Sequence, residues 1–380
     1  MKVLQVGKFY PIRGGVEKVM YDLMIGLSNR GVSCDMLCAT TEGYQAAELS
    51  IGPYAKVMAM KTQMKFAATM ISASMVSKMK NIVHEYDIVH VHHPDPMAAL
   101  SVLLSGFKGK LILHWHSDIL KQKLLLKLYA PLQQWLIRRA DLIVGTTPVY
   151  VKHSPFLQQV QDKVDFIPIG IQAVQGEEVQ VAKLRNQYKG KFLVFSLGRL
   201  VEYKGYEYLI RAAQFLDDRF KILIGGKGPL EAKLIQLIQD CGVQDRVELI
   251  GYVSDELLPS YYAASDLFCL SSVLKTEAFA IVQLEAMSCG KPVISTDISE
   301  SGVSWVNAHE SSGWVVPIRD EKAIADNIRL ALDNPELYTQ LAQGARDRYE
   351  KNFTQAHMID RCLQLYNQVL NGSLVEVGQN

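Results

Sequence analysis

The sequence predicts an α/β protein built from two open, mostly parallel sheets in tandem, and three observations carry that prediction. Short β-branched or apolar runs alternate with longer helical patterns from one end to the other, which is the rhythm of strands joined by crossover helices. The chain has 380 residues, beyond the size at which a single core stops growing, so two domains of roughly 150–200 residues are expected. The rhythm weakens once, near the middle, and then restarts.

In order along the chain, the first strand is expected at Val3–Val6. Apolar residues then recur at helical spacing over Val16–Asn29, and Gly31 closes that helix. Further strands are expected near Ser33–Cys38, Asp87–His92, Lys110–His114, Leu142–Gly145 and Val164–Pro168. The stretch Ala173–Val181, which holds Gln175, Glu177, Glu178 and Gln180 just after Gln172, is polar and without strong periodicity, and it reads as a linker. Strands resume at Phe192–Ser196, Lys221–Ile224, Arg246–Ile250, Leu267–Leu270, Pro292–Ser295 and Gly313–Val316. From Ala323 onward the pattern is helical, broken at Pro335, with a last helix around Gln355–Leu370. No internal repeat or low-complexity tract interrupts this.

Composition narrows the function. Hydrophobic residues make up 49% and charged residues 21%, an ordinary globular balance that excludes a disordered or fibrous chain. Lys and Arg number 40 against 39 Asp and Glu, so there is no basic excess of the kind that binds nucleic acid. The six cysteines, Cys34, Cys38, Cys241, Cys269, Cys289 and Cys362, read as small buried hydrophobes in a reducing compartment. The pair Cys34 and Cys38 has no second Cys/His pair at zinc-finger spacing. The opening MKVLQVGKFY lacks the apolar stretch of a signal peptide, and no segment reaches the ~18 uninterrupted apolar residues of a membrane span. The expected location is cytoplasmic, with peripheral contact on the inner face of the plasma membrane left open.

Open parallel sheets bind ligands at the carboxyl ends of their strands, so candidate chemistry is sought there. Gly14-Gly15 lies between the first strand and its helix, where glycines let a ligand approach the backbone and a helix start attracts an anion. A plain tight turn explains the same pair. Gly198-Arg199-Leu200, followed by Lys204-Gly205, offers two cations beside a strand end, a fork and a point charge suited to a diphosphate; solvated surface charges are the alternative. The segment Glu277 to Glu285 runs from a loop into a helix, and its spacing lets both carboxylates accept hydroxyls of one ligand while amides near Phe279–Val282 face a phosphate. Within Leu113-His114-Trp115-His116 the two histidines share a strand face; His116 at the strand end reaches the ligand side and His114 packs. His90, His92 and His93 suggest a metal cluster, but no carboxylate pattern completes it, and no metal is expected.

Together the segments PIRGGVEK, HWHSD, GRLVEYKG, GGKGPLE and EAFAIVQLEAMSCGKPVIST resemble glycosyltransferase family four. The resemblance covers nearly the whole chain. It implies the GT-B fold: two Rossmann-like domains facing each other across a cleft, with a C-terminal helix crossing back to the N-terminal domain. Residues 1–170 with 354–380 would form the acceptor-binding domain and 171–353 the domain for the nucleotide-sugar donor. By the same resemblance Arg199 and Lys204 hold the donor diphosphate, Glu277 binds hydroxyls of the sugar, and Glu285 binds the ribose. Backbone around Phe279, Ala280, Ile281 and Val282, with Gly198 and Gly226, lines the donor site. Gly14 and Gly15 face the phosphate from the other domain, and His116 sits beside the transferred sugar. Two departures stand out: Ala278 and Ala280 replace common glycines, which bears on donor choice.

The implied function is retaining transfer of a hexose from a nucleotide diphosphate sugar to a glycan or polyprenyl-linked acceptor in cell-surface polysaccharide synthesis. The likeness is greatest to bacterial polysaccharide and O-antigen mannosyl- or rhamnosyltransferases, which favours GDP-mannose over a UDP-sugar; neither a cofactor nor a metal is implied. A nucleotide-sugar epimerase and a non-catalytic glycan-binding relative are the alternatives. An NAD-dependent oxidoreductase fits poorly, since Tyr10-Pro11-Ile12-Arg13-Gly14-Gly15 has no Gly-x-Gly-x-x-Gly. The stretch Ile119–Arg139 mixes Leu124, Leu125, Leu126, Leu128 and Trp135 with Lys121, Lys123, Lys127, Arg138 and Arg139. It suits an anionic inner leaflet, or equally a docked helix with a solvated basic edge.

Overall fold

The computed structural model describes residues 1–67, 69–119 and 123–372. The chain divides into two compact units, Met1–Ile169 joined by the chain from Gln355 onward, and Gly170–Thr354.

The first unit holds β1 (Lys2–Tyr10), β2 (Ser33–Thr40), β3 (Ala47–Gly52), β4 (Ala55–Met60), the short pair β5 (Met64–Phe66) and β6 (Thr69–Ile71), β7 (Ile88–His93), β8 (Lys110–Trp115), β9 (Leu142–Gly145) and β10 (Val164–Phe166). Eight of these form one sheet in the order β10-β9-β8-β7-β1-β2-β4-β3, parallel except where β3 runs against β4. Strand order reverses between β7 and β1, and at such a switch point the loops on either side diverge and leave a crevice. The helix Gly15–Ser28 buries Val19, Met20, Leu23, Met24 and Leu27, an i, i+3, i+4 stripe. The last helix, Gln355–Asn371, buries Met358, Ile359, Cys362, Leu365, Tyr366 and Val369 within this unit.

Four strands here, β3, β4 and the short pair β5 and β6, lie outside the sequence expectation. β3 is an edge strand, AELSIG, with no residue fully buried, and β4, AKVMAM, has one β-branched residue. Neither offers the β-branched run by which strands announce themselves.

The second unit holds β11 (Phe192–Leu197), β12 (Phe220–Gly225), β13 (Val247–Gly251), β14 (Leu267–Leu270), β15 (Val293–Asp297) and β16 (Gly313–Pro317). All pair in parallel, in the order β13-β12-β11-β14-β15-β16. Third, second, first, fourth, fifth, sixth is the Rossmann order, with its switch point between β11 and β14. Val194, Ile222, Ile224, Leu267 and Ile294 centre a core closed by Leu209, Ile324 and Ile328 from the covering helices.

The polar stretch Ala173–Val181, read as a linker, is partly helical: a helix covers Glu178–Gln187. It buries no residue, so it carries no apolar stripe, and it is pinned instead by Arg185, whose guanidinium forks onto Asp266 at 2.9 and 2.6 Å. Pro335 does not merely break a helix; it opens the next one, Pro335–Asn352, with the Asn334 side chain capping Leu337 N–H.

Candidate functional site

In the second unit the loops after β11 and β14 meet at the switch point. Lys204 Nζ lies 2.6 Å from Glu277 Oε2, each side chain 10% exposed. The pair is held from several sides: Ser272 Oγ donates to Glu277 Oε2 at 2.8 Å, Ser271 Oγ to the Lys204 carbonyl at 3.0 Å, Ser301 Oγ to the Glu277 carbonyl, and Val273 N–H to the Tyr203 carbonyl at 2.8 Å. Two glycines make this closeness possible. A Cβ on Gly205, at φ +62°, would stand 2.2 Å from the Ser271 carbonyl oxygen, and one on Gly198 would stand 3.0 Å from Lys204 Cε. Gly226 packs against Gly198 in turn, since its Cβ would fall 1.9 Å from that residue's carbonyl oxygen.

The other residues expected to meet the donor lie in the same unit. Arg199 occupies the same loop as Lys204 but is exposed at the rim, outside the ion pair. The helix after Glu277 begins at Val282, with Phe279 and Ala280 buried before it. Ala280 has φ +63°, a left-handed conformation that favours glycine. The alanine therefore keeps the backbone that a glycine would take and adds a methyl group to the loop. Glu285 Oε2 accepts a hydrogen bond from Tyr262 OH at 2.5 Å, and burial pushes its carboxyl above the usual range, the tyrosine partly offsetting this. Tyr262 and Ser272 were invisible as site residues in the sequence, because neither sits in a recognisable motif.

At the switch point of the first unit, Gly14 (φ +139°) and Gly15 (φ +59°) lead into their helix, and a Cβ on Gly14 would meet nothing within 4 Å. The backbone there is open to an approaching group. A residue that sequence reasoning missed lies beside it. Lys8, at the carboxyl end of β1, is 8% exposed and has φ +60°. Its Nζ donates to the Pro94 carbonyl at 2.6 Å and its N–H to Asp95 Oδ2 at 2.6 Å. Burial lowers its pKa, and the charge of Asp95 partly counters that. The only sequence signal was a lysine directly after an apolar run and a glycine.

The histidines form a buried column across β7 and β8. His90, His92, His114 and His116 stack with ring centroids 4.0–5.3 Å apart and interplanar angles of 10–29°. The expected division, His116 reaching out while His114 packs, is only partial: His114 is 0% and His116 5% exposed. His93 points to the other sheet face and stacks on Trp115 at 3.8 Å. Burial holds all five rings below the usual imidazole pKa, His114 at about 3. Nitrogens of His90, His92 and His114 lie within 4.8 Å of one another, a candidate metal grouping with His114 in place of His93. Both nitrogens of His92 are already engaged, however, Nε2 facing Gln5 Oε1 at 2.5 Å and Nδ1 facing His116 Nε2 at 2.9 Å, so this ring has no lone pair to spare for an ion.

All six cysteines are free, with Cys34, Cys38, Cys269 and Cys362 buried and Cys241 and Cys289 partly so. Among the described residues no helix is long and apolar enough to cross a membrane.

Two α/β units, each built on a Rossmann-like sheet with glycines and a lysine at its switch point, define the class of protein. Comparison with known proteins makes this specific. Residues 13–174 match glycosyltransferase family 4 and residues 180–348 match glycosyl transferases group 1. O-antigen chain mannosyltransferase C of Escherichia coli is 33% identical over 97% of this chain and 99% of its own. D-rhamnosyltransferase WbpZ of Pseudomonas aeruginosa is 30% identical over 93% of this chain and 92% of its own. The fold matches the Anabaena protein Alr3699/HepE in complex with UDP, at TM-score 0.76 and 19% identity over 97% of this chain and all of that one. It also matches sucrose-phosphate synthase from Thermosynechococcus elongatus, at TM-score 0.78 and 20% identity over 98% of this chain and all of that one. The chain belongs to glycosyltransferase family four, with the GT-B fold. It is a glycosyltransferase of polysaccharide and O-antigen biosynthesis.

Proposed function

We propose that this enzyme moves a hexose from a nucleoside diphosphate sugar to a glycan or polyprenyl-linked acceptor with retention of anomeric configuration, GDP-mannose being the favoured donor. The observation that carries the reading is the enclosed Lys204–Glu277 pair at the Rossmann switch point. An ammonium kept in place by a carboxylate is a preorganised partner for charge that develops on a departing diphosphate. The names of the mannosyl- and rhamnosyltransferase relatives support the choice of donor.

In this reading Lys204 and Arg199 take the diphosphate, together with amides of Phe279, Ala280, Ile281 and Val282. Glu277 accepts hydroxyls of the sugar and Glu285 those of the ribose, while Gly198 and Gly226 allow the backbone to come close. In the first unit Gly14 and Gly15 receive phosphate and His116 the transferred sugar. The acceptor oxygen bonds to the anomeric carbon on the face from which the diphosphate leaves. The bond from the anomeric carbon to the phosphate oxygen breaks, the diphosphate leaves with that oxygen, and the acceptor proton passes to it. No protein nucleophile and no metal take part; the engagement of both His92 nitrogens within the column supports the second point.

One experiment tests this. Purified protein is screened by thermal shift against GDP-, UDP- and dTDP-sugars, and turnover of the stabilising donor is followed by NMR with and without EDTA. A product that keeps the donor's anomeric configuration and is unaffected by chelator is expected. Inversion, or conversion of the donor sugar with no acceptor present, would replace this reading with another, the second outcome favouring an epimerase.

A peripheral position on the cytoplasmic, anionic face of the membrane is part of the same proposal. The helix Lys123–Arg139 buries Leu136 and Ile137, and Arg139 turns inward to Asp141 and the carbonyls of Phe107 and Gly109. Leu128 remains 77% exposed. It lines, with Phe66, Met97 and Leu100, an apolar groove of about 300 Å³. Of the basic and apolar residues first read there, Lys121 and the side chains of Lys123, Leu124 and Leu125 lie outside the described residues.

A further inference from the structure

The histidine column is wired in one direction. Tyr366 OH, from the last helix, lies 2.6 Å from His90 Nδ1, and its oxygen accepts from Gln5 Nε2 at 2.9 Å. The second proton of that amide faces Cys34 Sγ at 3.8 Å. Both donors of the Gln5 amide are thereby used, and Oε1 faces His92 Nε2 at 2.5 Å. A carbonyl oxygen can only accept, so His92 carries its proton on Nε2. A neutral imidazole has one proton, and His92 Nδ1 therefore accepts from His116 Nε2 at 2.9 Å.

We propose that Gln5 and His92 are positioning residues that fix His116 as the tautomer with its proton on Nε2, so that Nδ1 is presented as a hydrogen-bond acceptor. This rests on the reading above that His116 adjoins the transferred sugar, and it goes further by assigning the atom and its role: Nδ1 accepts from a sugar hydroxyl. The ring that receives that hydroxyl is held from 0% exposed neighbours on β1 and β7, where its orientation costs little to maintain once the sheet has formed. Gln5, flanked by Val3, Leu4 and Val6, is a fully buried polar group in a core strand. An imidazole whose partner is fixed in this way cannot alternate between donor and acceptor toward its ligand.

The test uses full-length protein labelled with ¹⁵N-histidine. In the unsubstituted enzyme the His116 resonances should report protonated Nε2 and bare Nδ1, with no exchange between tautomers. Gln5→Met, which keeps the volume and removes the acceptor, and His92→Phe, which keeps the stacked ring, should each give a mixture. Each should also lower kcat by roughly tenfold while donor KM changes little. A proton on Nδ1 or a tautomer mixture in the unsubstituted enzyme overturns the proposal and needs no variant to fold. Variants that lower Tm while leaving tautomer and kcat untouched overturn it as well. His116→Ala separates the two layers: full activity there removes His116 from the donor site, whereas the tautomer result concerns the relay alone.

Discussion

Lys204 and Glu277 are 73 positions apart in sequence and 2.6 Å apart in the fold, so neither the pair nor its enclosure could be read from the residues themselves. The individual letters were legible because they stand at strand ends, beside glycines, in segments of recognisable pattern. What the sequence could not supply was their mutual occupation: the cation expected to wait for a diphosphate is already matched by the carboxylate expected to wait for a sugar. Lys204→Met should lower kcat by about 10²–10³. It also strands Glu277 as an enclosed anion, which should cost about 3 kcal/mol of stability. The double variant Lys204→Met with Glu277→Gln separates these effects, since it removes the stranded charge without returning the ammonium. Denaturant melts should show stability largely restored and assays should show activity still lost. Recovery of activity in the double variant would show that Lys204 serves only to neutralise Glu277.

Among the elements, those announced by β-branched apolar runs were legible, and the six strands of the second unit all fall where the pattern put them. The edge strand β3, its neighbour β4 with a single β-branched residue, and the polar-anchored Glu178–Gln187 helix were not. The histidine-bearing strands β7 and β8 are a third case, visible as strands but not as a stack. Their rings are neutral in the fold and titrate near pH 6.5 when unfolded. A base with a depressed folded pKa contributes fully above its unfolded value, and that stability drains as pH falls from about 6.5 toward the depressed values, for His114 near 3. Each ring contributes a slope of about 1.4 kcal/mol per pH unit in that window, and five rings act together. Urea unfolding at stepped pH should therefore show the first unit weakening steeply below pH 6.5. His114→Phe removes one titrating ring and no hydrogen bond, because both nitrogens of His114 are buried without partners. It should flatten the slope by one ring's share while changing stability at pH 7 by about 1 kcal/mol or less. A pH-independent stability between 7 and 5 would contradict this account of the column.

For the molecule as a whole, the near-zero net charge excluded nucleic acid as a partner but said nothing about where basic and apolar groups gather locally. The first unit gathers both. Leu128 at 77% and Phe66 and Met64 at 55% exposure lie in the same unit as exposed Lys65, Lys127 and Arg138, and Leu128 and Phe66 share one groove. Large exposed side chains are ordinary when scattered and informative when contiguous. A lipid-linked acceptor would wait at an anionic leaflet, where each nearby cation contributes about 1 kcal/mol and a buried leucine about 2 kcal/mol. Neither contribution alone gives stable attachment, so binding should need both and should fade with salt. Full-length protein should float with vesicles of anionic phospholipid at low ionic strength, sink as salt rises, and ignore zwitterionic vesicles. Leu128→Glu should weaken that binding by roughly tenfold or more, having lost the apolar contact and added repulsion, while transfer to a water-soluble acceptor should continue at its former rate. Absence of flotation at low salt would assign the exposed leucine and its basic neighbours to an ordinary solvated face.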